Sequence, residues 1–544
     1  MTSRWLTSLV LMFFALSTGC TQVGTSSGGN GRHPYTHPHD LRFTASEDLV
    51  GLNPMINTQA TLLYLSSMVM AYLIKTDARA EATVPELCTE VPSQQNGGIS
   101  RDGKTITYHL RRGVKWSDGV PFTADDVVFS TKTILDPRTN VISHDGWDQI
   151  EQVSEPDKYT VVYHLKKPYA PFAYTFFSTG DANPAILPKH LLQGKDVNTA
   201  AYNSLPVGIG PFKYLHWNRG DSVELVPNPL YWRGQPKLHH IVYRVIQDRN
   251  TVAEQLRTHE IDLWTPVAPH YVHDVRSIPG INFLSTPSFF FDHLDFNNQR
   301  TVFKDPVVRR ALRVGIDRKL INDKIRFGLY DLSESVVPPA SSFHKNIPLV
   351  QTDIAQANRM LDEDGWKRGR DGIRAKGGLR LSFDFATSAG SQDADQEIEL
   401  IRSTWKQLGA NFQVRHYLSS LLFASAQAGG IIYGGKFDMV IFGWGGNPQQ
   451  DLSNLYACYR FPPNGQNDPR YCDPAVTAAI DRGKVQYDRA KRVPDMNFIQ
   501  QQIFTDAPII VLDTRKELYA YNSDLKNWHP NPLSPFDDMM NVDI

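Results

Sequence analysis

Asp102-Gly-Lys-Thr-Ile-Thr-Tyr-His-Leu-Arg-Arg-Gly-Val-Lys-Trp-Ser-Asp-Gly-Val-Pro-Phe-Thr-Ala-Asp-Asp-Val-Val-Phe129 is the stretch on which the reading of this chain turns. A strand-like run leads into Gly113, which with Gly119 marks turns. Trp116 and Phe122 are aromatics available to pack. Thr123 then caps a helix that Val127, Val128 and Phe129 continue. The adjacent carboxylates Asp125 and Asp126 invite an acid/base reading, but directly after a capping residue they are better read as helix-start residues that complement the macrodipole. The whole block is structural, and no contact with a ligand is expected from it.

Outward from this block, strand-like and helix-like segments alternate through most of the sequence, which favours α/β architecture. Asp305-Pro306 supplies an N-cap and a first-turn proline, after which Val308, Ala311, Leu312, Ile316 and Leu320 recur at helical spacing. Ile398, Ile401, Trp405 and Leu408 form a second apolar stripe, stopped by Gly409 and followed by a strand-like run from Asn411 to Tyr417. Pro494 opens a third helix, with Phe498, Ile499, Ile503 and Phe504 inward, before a buried-strand run from Ile509 to Leu512. These stripes are core.

At the N-terminus Arg4 precedes an apolar run from Leu9 to Leu16, followed by small residues ending at Cys20. The run is too short to span a bilayer and reads as a signal peptide covering residues 1–20, and no later stretch approaches the roughly 20 apolar residues of a membrane span. Leu16-Ser-Thr-Gly-Cys20 resembles a bacterial lipobox, whose Cys is diacylated, although Ser17 stands where Leu is commonest. Residues 21–40 read as a flexible tether. The chain of 544 residues is too long for one core and implies two or three domains, and a net charge of −1 argues against nucleic acid as a partner. Of the 4 cysteines, Cys458 and Cys472 bracket a polar loop that a disulfide would close in an oxidising compartment, which leaves Cys88 as a small buried thiol.

No enzyme motif survives inspection. Gly430-Ile-Ile-Tyr-Gly-Gly-Lys436 imitates a phosphate-binding loop, but Phe437 replaces the Ser or Thr that would hold magnesium, and a strand-like run follows. His259-Glu260 lacks the second His of a zinc-protease helix, and no Gly-x-Ser-x-Gly elbow occurs. His33, His37 and His39 could in principle gather a metal, but the prolines at 34 and 38 favour a solvated linker. Neither a cofactor nor a metal is expected.

The opening block resembles the signature of the extracellular solute-binding proteins of family 5, the oligopeptide/dipeptide-binding family. Further matching blocks follow in the family's order: Leu52-Asn-Pro54; Gly208-Ile-Gly-Pro-Phe212; Pro227-Asn-Pro-Leu-Tyr-Trp232; His259-Glu-Ile-Asp262; Val308-Arg-Arg-Ala-Leu312 with Ile316-Asp-Arg318; Met360-Leu-Asp-Glu-Asp-Gly-Trp366; and Phe437-Asp-Met-Val-Ile-Phe-Gly-Trp444. The resemblance implies a two-lobe, periplasmic-binding-protein-like (class II) α/β fold that closes on its ligand by hinge bending, with an additional subdomain in the first lobe. Lobe I would comprise about 41–287 plus 513–544 with the subdomain near 75–205, and lobe II about 288–512. It further implies a monomer outside the cytoplasm, periplasmic or otherwise extracytoplasmic, anchored to a membrane by lipid on Cys20. The monomer would have no catalytic activity and would hand peptides to the permease subunits of an ABC importer. An oligosaccharide, an opine-like compound or a metal chelate on the same fold is the alternative, and a secreted hydrolase the more distant one.

By the same resemblance, Asp48-Leu49-Val50 and the strand into Gly443-Trp444-Gly445 would grip an extended peptide through main-chain hydrogen bonds, and Trp444 would add an apolar wall. In peptide-binding members an Asp three residues beyond that Trp pairs with the ligand's free ammonium. Here that position is Asn447. Either Asp451 reaches the amine instead, or the natural ligand has no free α-ammonium there.

Overall fold

A computed structural model describes residues 31–544 apart from 46, 58, 142, 143, 145, 180–183, 447, 449 and 450. The signal sequence with Cys20, most of the tether, and Asn447 therefore lie outside the described residues. Ten strands form one mixed sheet, in the order Asn411–Tyr417, Ser382–Ser388, Met439–Gly445, Ile281–Phe296, Ile509–Asn522, Leu263–Trp264, Asp40–Thr44, His240–Arg244, Ser222–Pro227, Phe212–Asn218. Its two central strands, of 16 and 14 residues, are far longer than the rest and run antiparallel through both halves of the molecule. Their register shifts between Pro287 and Phe291 and again between Asp292 and His293. Such irregularities bend and twist a strand pair, and these fall where the halves meet. Lobe I carries its core on the strands beyond Leu263, around Leu41, Phe43, Tyr243 and Tyr519. Lobe II covers one sheet face with Phe383, Trp405 and Leu408 and the other with Phe291, Val476 and Ile503.

The opening block builds the subdomain. Thr105–His109 pairs antiparallel with Thr160–Leu165, which in turn pairs with Ile150–Asp157, and the helix Ala124–Leu135 packs against this small sheet. Trp116 is fully buried edge-on to Phe122 at 6.2 Å. Asp126 accepts hydrogen bonds from the backbone N–H of Thr123 (3.0 Å) and of Lys189 (3.0 Å), and Asp125 pairs with the Lys189 ammonium at 3.0 Å. Both carboxylates are thus structural, as their place behind a capping residue indicates.

Four expectations are corrected. The helix begun at Pro306 ends at Val314, and Asp317 caps a separate helix, Arg318–Ile325, so Ile316 and Leu320 belong to two elements rather than one. Asp488, not Pro494, opens the helix Arg489–Asp506, because the carboxylate of Asp488 accepts the Ala490 N–H at 2.9 Å. Phe498 on that helix is 41% exposed rather than inward. The chain from Arg32 is docked, not free: His33 N–H and Thr36 Oγ1 donate to Asp524 at 2.7 and 2.6 Å, and Arg32 pairs with Asp543 at 3.0 Å. Tertiary partners on the C-terminal segment fix a stretch whose composition alone would leave it solvated. Among the described residues no helix is long and apolar enough to cross a membrane.

Candidate functional site

The strand Met439–Gly445 pairs along its whole length with Ile281–Phe296, but on its other side it pairs with Ser382–Ser388 only at Met439 and Val440. From Ile441 to Gly445 that second edge is open. Gly446 N–H donates to Phe289 carbonyl at 2.8 Å, in the register that sets Gly445 opposite Phe290. Peptide groups alternate in direction along an antiparallel pair, so the N–H and C=O of Gly443 and Gly445 face the open edge. A Cβ on Gly443 would lie 2.5 Å from Arg515 Nη2 and 2.7 Å from Asp292 Oδ1, and one on Gly445 would lie 3.0 Å from the Phe290 ring. The two glycines let an ion pair and an aromatic ring press against the strand. Trp444 points to the opposite face, packed on the cluster around Phe291 and edge-on to Phe442 at 6.3 Å.

The segment Asp48-Leu49-Val50 is arranged differently. Leu49 N–H donates to the Asp48 carboxylate (2.7 Å), Val50 N–H to Gln59 Oε1 (2.7 Å), and the Gln59 amide donates to Asp48 carbonyl (2.5 Å). Leu49 is buried in the lobe I core, whereas the Val50 side chain is 71% exposed. Two of the three N–H groups therefore have partners within the segment's own neighbourhood.

Asp451 is not a free carboxylate. It accepts the Ser453 N–H at 2.9 Å and pairs with Lys484 at 3.1 Å, while the Lys484 ammonium also donates to Ser453 Oγ at 2.9 Å. Burial by itself would raise the Asp451 carboxyl, but the Lys484 charge and the Ser453 hydrogen bonds prevail and hold it below the ordinary range. Cys458 and Cys472 are joined by a disulfide, and the loop it closes begins shortly after Asp451. Cys88 is a buried thiol whose Sγ–H donates to Leu73 carbonyl, and burial pushes it up to about 12. Such a thiol is not a nucleophile. No group of three or more metal-ligating side chains occurs among the described residues.

A charged row that the sequence reading missed lies at the register shift between the two long paired strands. Arg515 donates from Nε (2.9 Å) and Nη2 (2.5 Å) to the two oxygens of Asp292. Behind them Arg326 meets Asp292 (3.4 Å), Asp513 (3.5 Å) and Glu397. Burial pushes Glu397 up to about 7 and raises Asp513 as well, whereas for Asp292 the Arg515 charge outweighs burial and lowers it. Asp292 and Asp513 are direct cross-strand neighbours, a like-charge placement that is unfavourable without these arginines. The signal was present in Asp513-Thr-Arg-Lys-Glu517, a polar and charged run between the apolar stretches of one strand.

The two lobes also touch directly. Tyr487 Oη donates to Gly103 carbonyl (2.8 Å) and accepts from Tyr169 N–H (3.1 Å), and Ala170 N–H donates to Lys484 carbonyl (2.7 Å). Glu81 gathers Tyr174 Oη (2.6 Å), Ser342 Oγ and Arg489 (3.7 Å). The opening block, through Gly103, is part of this contact, a role its sequence does not disclose.

A bilobal α/β protein with an open strand edge between its lobes is the architecture of solute-binding proteins. Residues 82–466 match the family described as bacterial extracellular solute-binding proteins, family 5 middle, and the chain belongs to that family. It is similar to protein XP55 of Streptomyces lividans, 30% identical over 438 residues covering 80% of this chain and 77% of the relative. It is also similar to the oligopeptide-binding protein AppA of Bacillus subtilis, 24% identical over 98% of this chain and 97% of that protein. The structure of AppA in complex with a nonapeptide superposes with a TM-score of 0.76 at 23% identity, covering 92% of this chain and 98% of AppA. NikZ from Campylobacter jejuni in complex with Ni(L-His) gives a TM-score of 0.75 at 23% identity, covering 91% and 96% of the two chains.

Proposed function

We propose that this protein is the extracytoplasmic solute-binding component of an ABC importer and binds an extended peptide in the cleft between its lobes. The observation that carries this reading is the open edge from Ile441 to Gly445. Unpaired N–H and C=O groups at an edge accept an added strand without regard to side-chain identity. The protein binds and releases its ligand without chemistry, works as a monomer, docks to the membrane permease, and is held at the membrane by two acyl chains on Cys20, since one chain alone anchors marginally.

Mass spectrometry of solute co-purifying with the protein tests the ligand class, and incubation with a peptide mixture tests the mode of action. Intact, enriched peptides support the reading, whereas new termini would make the protein a hydrolase. Detergent partitioning of wild type and Cys20→Ala checks the anchor, and wild type found wholly in the aqueous phase would end that part. A second reading, a non-peptide solute such as an opine-like compound or a metal chelate, is favoured by the uncharged Asn447 and by the engagement of Asp451 with Lys484.

A further inference from the structure

The carboxylates around the cleft differ in one respect. Asp292 is held by Arg515, Asp451 by Lys484, Asp48 by Leu49 N–H, and Glu47 accepts the Thr61 N–H at 3.1 Å. The Glu517 carboxylate has no hydrogen-bond or ion-pair partner among the described residues, although its backbone is paired opposite Thr286. It stands two residues beyond Arg515, on the same face of the strand Ile509–Asn522. Arg515 lies against Gly443 on the lobe II side. Glu517 lies beside Tyr64, whose phenol is raised by burial and next by the Glu517 charge, with Glu47 also contributing. Glu47 immediately precedes Asp48-Leu49-Val50. The strand thus carries its charges across the cleft floor, from the open edge of one lobe to the ligand-side segment of the other.

Glu517 is surrounded by protein yet keeps part of its surface in contact with solvent, as a residue at the bottom of a cleft does. Burial raises its carboxyl and the neighbouring Arg515 charge opposes the rise, but the Nε/Nη2 edge of Arg515 is bonded to Asp292 rather than to Glu517. A carboxylate that loses water when the lobes close needs a counter-charge, because an enclosed unpaired ion is costly. Arg515 is the nearby positive charge, but it is bonded to Asp292, and no described side chain forms a hydrogen bond or ion pair with the Glu517 carboxylate.

We propose that Glu517, on the cleft floor between Gly443 and the Asp48–Val50 segment, is the receptor for a primary ammonium carried by the bound solute. The inference rests on the peptide-binding reading and sharpens it. The ligand's positive end is met by the crossing strand, not by the loop that holds Asn447 and Asp451. The ammonium is either a peptide's α-amine or a lysine-like side chain, and the test separates them.

Ligand-stripped wild type and Glu517→Gln are titrated calorimetrically at neutral pH with tetra-alanine, with N-acetyl-tetra-alanine, and with an N-acetylated tetrapeptide bearing one lysine. Wild type should prefer tetra-alanine over its acetylated form by about tenfold or more, and Glu517→Gln should shrink that preference to about twofold. If the preference appears only with the lysine peptide, the ammonium is a side chain's. Equal binding of all three by wild type, or a preference that survives in Glu517→Gln, overturns the assignment while leaving peptide binding intact. Failure of all three to bind wild type overturns the peptide reading, and this inference with it. Melting curves check that Glu517→Gln is folded. Should it not be, Glu517→Asp decides, since it must retain the preference for the free amine.

Discussion

The two segments proposed to grip the ligand, Gly443–Gly445 and Asp48–Val50, differ in what their backbones have left to offer. The first is an open edge whose outward peptide groups have no strand beside them, and its glycines admit the Arg515–Asp292 pair. The second is folded onto itself through Asp48 and Gln59. A ligand gripped by main-chain bonds would therefore be held chiefly by lobe II, with lobe I closing over it through side chains and through the contacts of Tyr487 and Glu81.

The largest effect on binding should come from filling the open edge. Gly443→Val puts carbon atoms where Arg515 and Asp292 now stand, so it should lower affinity for tetra-alanine by about a hundredfold, or 2.7 kcal/mol, as measured by calorimetry. A variant that binds normally would break the asymmetry. Arg515→Met tests what supports that edge. It leaves the buried Asp292 with only Arg326 at 3.4 Å, and because Arg515 itself is 40% exposed denaturant unfolding should show a loss of about 2 kcal/mol, below the scale of removing one partner from a fully buried pair.

The row should also make stability depend on pH. Glu397 binds its proton more tightly in the folded protein, at about 7 against an ordinary 4.5. Its stabilising contribution is therefore complete below that ordinary value and is lost as the pH rises through about 7. Glu397→Gln should remove this decline, so that the stability difference between wild type and variant changes by about 3 kcal/mol between pH 4 and 8. Parallel pH profiles would show that Glu397 does not hold the proton. The smallest effect belongs to lobe I. Gln59→Ala frees Val50 N–H and Asp48 carbonyl, so it should cost about 1 kcal/mol of stability and change affinity by less than about threefold. A large loss of binding would mean that lobe I grips the ligand as firmly as lobe II.

Much of the architecture was readable because it is encoded locally. The strand Asn411–Tyr417, the stripe stopped by Gly409 and the capped helix after Thr123 each follow from periodicity and a terminating residue within a few positions. The blocks from Leu52 to Trp444 placed the chain in its family for the same reason, since each is a short run with its own turn or cap. Elements whose ends depend on competing signals were misread. Gly315 divides a continuous apolar pattern, and the Asp488 cap lies ahead of the more conspicuous Pro494.

The state of the cleft residues is another matter. Sequence named Gly443, Trp444, Gly445, Asp48 and Asp451, but only tertiary structure decided that Gly443 borders an open edge, that the Asp48 segment satisfies itself, and that Asp451 is already paired with Lys484 33 positions away. Sequence likewise displayed Arg515 and Glu517 as an ordinary charged pair in a strand. The antiparallel pairing of two long strands set Arg515 against Asp292, 223 positions earlier, and left the Glu517 carboxylate without a hydrogen-bond partner among the described residues. Local pattern determines which element forms, because backbone hydrogen bonds and apolar periodicity are short-range. Whether a charge inside the molecule is satisfied depends on what distant segments bring to it, and that is fixed only when the lobes are packed.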